Sequence, residues 1–142
     1  MTDPIRFVVY GVPQTKGSAR AFIPKGWSRP VITTATKGLK DWERKIASAA
    51  QVVTSGMLIT GAVVLTITFY LPRPQSLAKT IRLHTKRPDL DKLIRGATDA
   101  LTNVLYRDDA QIVSITASKH YTATTEEAPR AEFRIEPAEV ML

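Results

Sequence analysis

Val63-Val64-Leu65-Thr66-Ile67-Thr68-Phe69-Tyr70-Leu71 is the stretch from which the fold is read. Val63, Leu65, Ile67, Phe69 and Leu71 alternate with Val64, Thr66, Thr68 and Tyr70. A period of two in β-branched and aromatic residues predicts a strand with one face in the core. It is long enough to be central, and Pro72 and Pro74 stop it. The wider apolar stretch, Met57 to Leu71, is broken by Gly61 and several threonines, and is too short and too polar to span a bilayer. Towards the N-terminus, Leu39, Trp42, Ile46, Ala49 and Val53 recur at helical spacing with charged residues between them. They predict an amphipathic helix with Thr36 as its N-cap and Gly56 at its end. Before it, Gln14 to Thr36 reads as a long loop rich in Gly, Pro, Ser, Thr and base. Ile5 to Tyr10 reads as a first strand, ended by Gly11 and Pro13.

Towards the C-terminus, Gln75 to Arg87 reads as a second basic loop. Leu90, Leu93, Ile94, Ala97, Ala100, Leu101 and Val104 form the stripe of a second helix, and Tyr106-Arg107-Asp108-Asp109 is the turn after it. Ile112 to Tyr121 is a third strand. Ala131 to Glu136 is a fourth, with Ala131, Phe133 and Ile135 inward, and the polar residues between these two suit a hairpin loop. The order is β-α-β-α-β-β. It predicts a single α+β domain over residues 1–142, a mixed sheet of about four strands with two helices.

The chain has no cysteine, which excludes disulfide frameworks, zinc-thiolate sites and thiol nucleophiles. Met1-Thr2-Asp3-Pro4 shows no basic-then-apolar signal pattern, so a soluble, cytoplasmic protein is expected. Net charge is +7. Residues 126–142 hold five acids and two bases, a net of −3, which leaves +10 on the first 125 residues. A basic body suggests a polyanionic partner.

Asp89 and Asp91 stand at the start of the second helix, and Asp109 just before the third strand. If the helix crosses the sheet in the right direction, the three carboxylates converge. Converging carboxylates repel unless a cation neutralises them, and oxygen-only ligands suit magnesium or manganese. Such an ion polarises a phosphodiester and activates water. Lys92 or Arg95 would then stabilise charge on the phosphate, Arg95 lying four residues after Asp91 on the same face. The plainer reading is helix capping by Asp89, dipole matching by Asp91 and turn chemistry at Asp108-Asp109.

The residues around these acids carry a resemblance. Lys86-Arg87-Pro88-Asp89-Leu90-Asp91-Lys92-Leu93-Ile94-Arg95, Asp99-Ala100-Leu101 and Asp108-Asp109-Ala110-Gln111-Ile112 resemble the signature of the RusA family of Holliday junction resolvases. There the block reads basic residue, Pro-Asp-x-Asp-Asn-Leu-x-Lys, then Asp-Ala-Leu, then Asp-Asp-x-Gln-Ile/Val. Pro13-Gln14-Thr15-Lys16-Gly17-Ser18-Ala19-Arg20 is similar to the family's Pro-x-x-Lys-Gly-x-x-Arg loop. Leu71-Pro72-Arg73-Pro74 and Lys119-x-Tyr121 match its strand ends. The resemblance implies a homodimer that cuts two opposing strands of a four-way DNA junction with magnesium (manganese a possible substitute) and metal-activated water. Asp89, Asp91 and Asp109 match the metal-binding aspartates. The family's catalytic lysine falls at Arg95 and its asparagine at Lys92.

Lys16, Arg20, Arg73, Lys86 and Arg87 are the expected DNA contacts, with salt-dependent binding to phosphates. Trp27 and Tyr106 are candidates for stacking on unpaired bases but more ordinarily belong to a core. His84 and His120 are read as structural or surface residues. Two other readings stay open: a non-catalytic junction-binding module, and a carboxylate-metal nuclease acting on flaps, nicks or RNA.

Overall fold

The computed structural model describes residues 3–17, 20–23, 25–26, 28–29, 31–33 and 38–138. The strand from which the fold was read is present as β4, Val63–Leu71, and its five alternating apolar residues are each no more than 2% exposed. It is central: β5 (Ile112–Tyr121) pairs with it in parallel on one side, and β6 (Arg130–Pro137) antiparallel on the other. β1 (Ile5–Tyr10) pairs antiparallel with β6, so the four-stranded sheet has the order β1-β6-β4-β5. β2 (Arg20–Phe22) and β3 (Val31–Thr33) form a separate two-stranded ribbon inside the segment expected to be loop. Two helices, α1 (Leu39–Thr54) and α2 (Leu90–Leu101), complete a single α+β domain.

Trp42, Ile46 and Ala50 of α1 and Leu93, Ala97 and Leu101 of α2 bury against Phe7, Val9, Leu65, Ile67, Phe69, Phe133 and Ile135 in one apolar core. The expected cap of α1, Thr36, lies outside the described residues. The N-cap position is taken by Gly38, in the left-handed region at φ 88° and without a side-chain cap bond. No helix among the described residues is long and apolar enough to cross a membrane.

The expected hairpin between the last two strands is not formed, because β4 lies between β5 and β6. Burial gives the reason. Ala131, Phe133 and Ile135 of β6 are buried, which suits an inner strand, whereas Val113, Ser114, Ile115 and Thr116 of β5 are exposed and tolerate the sheet edge. The parallel β4-α2-β5 unit requires α2 to run back over the sheet. Its start therefore lies at the C-terminal end of β5, and its later turns lie towards the start of that strand.

Candidate active site

Asp89 occupies the N-cap of α2 with extended backbone, φ −73° and ψ 138°, yet its side chain makes no capping bond. Its carbonyl accepts from the Leu93 N–H at 3.1 Å and starts the helix. The carboxylate is exposed, 3.5 Å from the Lys92 ammonium. Asp91, in the first turn, is exposed, and its side chain has no hydrogen bond or ion pair among the described residues. The same holds for the side chain of Arg95 one turn on. Capping therefore does not account for the Asp89 carboxylate.

The other acid pair divides its work. Asp108 caps the 3-10 turn Asp109–Gln111: its Oδ1 accepts from the Ala110 N–H at 2.9 Å, and Gln111 Oε1 accepts from the Asp108 N–H at 3.1 Å. Gln111 Nε2 donates to the Ile59 and Gly61 carbonyls, tying this turn to the segment that leads into β4. Asp109 is left with an exposed carboxyl. A hydrogen bond with the Asp108 side chain, slight desolvation and the charges of Asp108 and Asp99 raise its pKa above the usual carboxylate value.

Asp89, Asp91 and Asp109 are not gathered into one cluster. Among the described residues, no three acidic or histidine side chains lie close enough to hold a metal ion. Asp109 borders a depression with Thr98, Ser114 and Ile115. Thr98 stands two turns along α2 from Asp91 on the same face, about 10 Å by helix geometry. The acid beyond its own turn whose charge reaches Asp109 is Asp99, to which sequence reasoning gave no role. Asp99 is also paired, its carboxylate 3.0 Å from the Lys16 ammonium.

That pair seats the first basic loop on α2. The Lys16 N–H donates to the Lys92 carbonyl at 3.1 Å. A side chain at position 96 would meet the Gln14 carbonyl at 3.2 Å, so Gly96 is what allows the close approach. Lys86 and Arg87 are exposed beside Asp89, and Thr15, Arg87, Pro88, Asp89 and Lys92 line one open cleft. Arg20 has its backbone in β2, but its side chain and the whole of Trp27 lie outside the described residues.

Arg73 corrects an expectation. It is 8% exposed, and its guanidinium donates to the carbonyls of Thr122, Ala78 and Ile81 while lying over the Tyr121 ring. Each of its three nitrogens donates to backbone and the side chain is buried, so it is a clamp on the second loop rather than an exposed phosphate contact. Tyr106 is likewise unavailable for stacking on bases: it is fully buried, its hydroxyl donates to the Thr98 carbonyl at 2.7 Å, and burial raises its pKa. His84 packs buried against Tyr121, and His120 pairs with Ser118 Oγ at 3.0 Å.

Two exposed carboxylates at a helix start, Asp91 without a side-chain partner among the described residues and Asp89 paired only with Lys92, have beside exposed cations the chemistry of a site for a hard cation and phosphate. Residues 12–136 match the family model described as Endodeoxyribonuclease RusA. A Bacillus subtilis (strain 168) protein named YqaN, described as uncharacterized, is 32% identical over 143 residues, covering 94% of this chain and 96% of its own length. The chain belongs to the RusA family of endodeoxyribonucleases.

Proposed function

We propose that this nuclease is a magnesium-dependent, structure-specific endodeoxyribonuclease that resolves four-way DNA junctions by paired cuts, acting as a homodimer in the cytoplasm. One observation carries the reading: in a chain of an endodeoxyribonuclease family, Asp89 and Asp91 hold exposed carboxylates that helix capping does not use. The donor set is all oxygen, which fits magnesium, with manganese as a substitute. Asp89 and Asp91 would hold the ion, together with substrate phosphate; Asp109 is the third ligand that the family resemblance implies, although the three are not gathered in this structure. When bound, it supplies Lewis acidity at the phosphodiester and lowers the pKa of water.

The chain's own residues do the remaining work. Lys86, Arg87 and Lys16 bind backbone phosphates and set the register of the DNA. Arg95, whose side chain has no competing partner among the described residues, offers a planar fork to the scissile phosphate, and Lys92 contributes a second positive charge beside Asp89. A two-fold dimer presents two such sites to a two-fold junction.

A second reading, a junction-binding module without turnover, is favoured by the fact that Asp89, Asp91 and Asp109 are not gathered into one metal-holding cluster. One experiment separates the two. The protein and an Asp91→Asn variant are incubated with a synthetic four-way junction and with linear duplex, with and without magnesium. Paired nicks on the junction alone, absent without metal and in the variant, are expected. Tight junction binding with no product would establish the module instead. Equal cutting of duplex and junction would leave a metal nuclease without junction specificity.

A further inference from the structure

Lys119 lies on β5 opposite Phe69, in the row that also holds Ala117 and Tyr121 and faces the helices. It is partly buried and has no carboxylate partner among the described residues. Its ammonium donates instead to two backbone carbonyls, Lys86 at 2.6 Å and Pro88 at 2.7 Å. These are short, charge-assisted bonds, stronger than those between neutral groups. They flank Arg87-Pro88, the last residues before Asp89 and α2. Further back, the same segment is tied to the end of β5 by the Tyr121 N–H on the Arg82 carbonyl and by a bridge between Leu83 and His120. Lys119 is therefore the final tie between the sheet and the start of the helix.

The Pro88 carbonyl belongs to the peptide joined to Asp89. Holding that carbonyl holds the plane of the peptide; with the Asp89 carbonyl held on the other side by the Leu93 N–H, the φ of Asp89 and the direction of its Cα–Cβ bond are set. Asp89 makes no capping bond, and the one partner of its side chain among the described residues is the exposed Lys92 ammonium at 3.5 Å, so its own side chain does little to fix it. We infer that Lys119 is a positioning residue: through the Lys86 and Pro88 carbonyls it aims the Asp89 carboxylate at the bound cation. This rests on the proposed metal site. Lys119 itself touches neither DNA nor metal, and it acts from the opposite side of the loop.

Manganese binding to the full-length protein, followed by loss of the free-ion electron paramagnetic resonance signal, tests this without cleavage. Lys119→Met is expected to weaken manganese binding about tenfold, the lower end of what loss of a ligand's supporting group does. Lys119→Arg, which keeps charge and donors, is expected to recover most of that. Junction affinity in EDTA should change by less than about twofold, because no phosphate-binding group is removed.

The decisive step combines Lys119→Met with Asp89→Asn. If Lys119 acts through Asp89, its loss adds almost nothing once the carboxylate is gone. Equal loss with and without Asp89, or parental binding in Lys119→Met, overturns the inference and leaves the metal site standing. Parental binding in Asp89→Asn overturns the metal site, and the inference with it. Lys119→Gln, which keeps amide donors without charge, is measured alongside. If neither neutral variant melts cooperatively, Lys119 is a folding residue and the inference fails.

Discussion

Arg73 and Arg95 are the same residue type in the same basic chain, and their surroundings give them opposite work. Arg73 is buried with its nitrogens on the carbonyls of Thr122, Ala78 and Ile81. Arg73→Leu strands those carbonyls and is expected to lower stability by about 2–4 kcal/mol in urea unfolding. A loss of junction affinity with unchanged stability would return Arg73 to the DNA interface. The Arg95 side chain is exposed and unpaired among the described residues. Arg95→Ala is expected to slow junction cleavage about a hundredfold, as for loss of a group that meets transition-state charge. Its melting temperature should not move, and cleavage at the parental rate would assign that charge to Lys92 alone. Asp108 and Asp109 show the same division: one carboxylate caps a turn, and its neighbour is left exposed beside it.

At the level of elements, α2 organises the candidate site, with Gly96 as its point of approach to the first basic loop. Gly96→Val places a branched side chain against the Gln14 carbonyl. The expected loss is about 1–3 kcal/mol, as for overpacking, with weaker junction binding because Lys16 is displaced. Parental stability and affinity would show that the loop moves aside freely.

The segment before α2 carries a pH response. Burial, and secondarily the Lys119 charge, lower the His84 pKa below its ordinary value of 6.5. The unfolded chain then binds this proton more readily than the folded one. Stability from this group is full above about pH 6.5 and falls as pH drops towards the folded value. Between about pH 7.5 and 5.5 the parent should lose more melting temperature than His84→Phe, which keeps a ring against Tyr121 without a proton. Equal losses would place the pH dependence elsewhere.

Over the whole molecule, the charge excess serves DNA binding only where cations remain exposed. Replacing both Lys86 and Arg87 with alanine should reduce the slope of log affinity against log salt by about 2, near 0.9 for each phosphate that is no longer neutralised. An unchanged slope would move the DNA path away from the start of α2.

The residue order alone was enough for the β-α-β-α-β-β succession, the buried rows of β4 and β6, the two amphipathic helices and the family to which the aspartates belong. These are local patterns: periods of two and of 3.6, and short motifs whose spacing survives in the linear chain. Strand adjacency was not legible, since β5 and β6 are neighbours in sequence but separated by β4 in space. Nor were the burial of Arg73, the pairing of Lys16 with Asp99 and the hold of Lys119 on the Pro88 carbonyl. Each joins groups many residues apart, and whether a charge meets phosphate, a carboxylate or a backbone carbonyl depends on which chain segments pack against it.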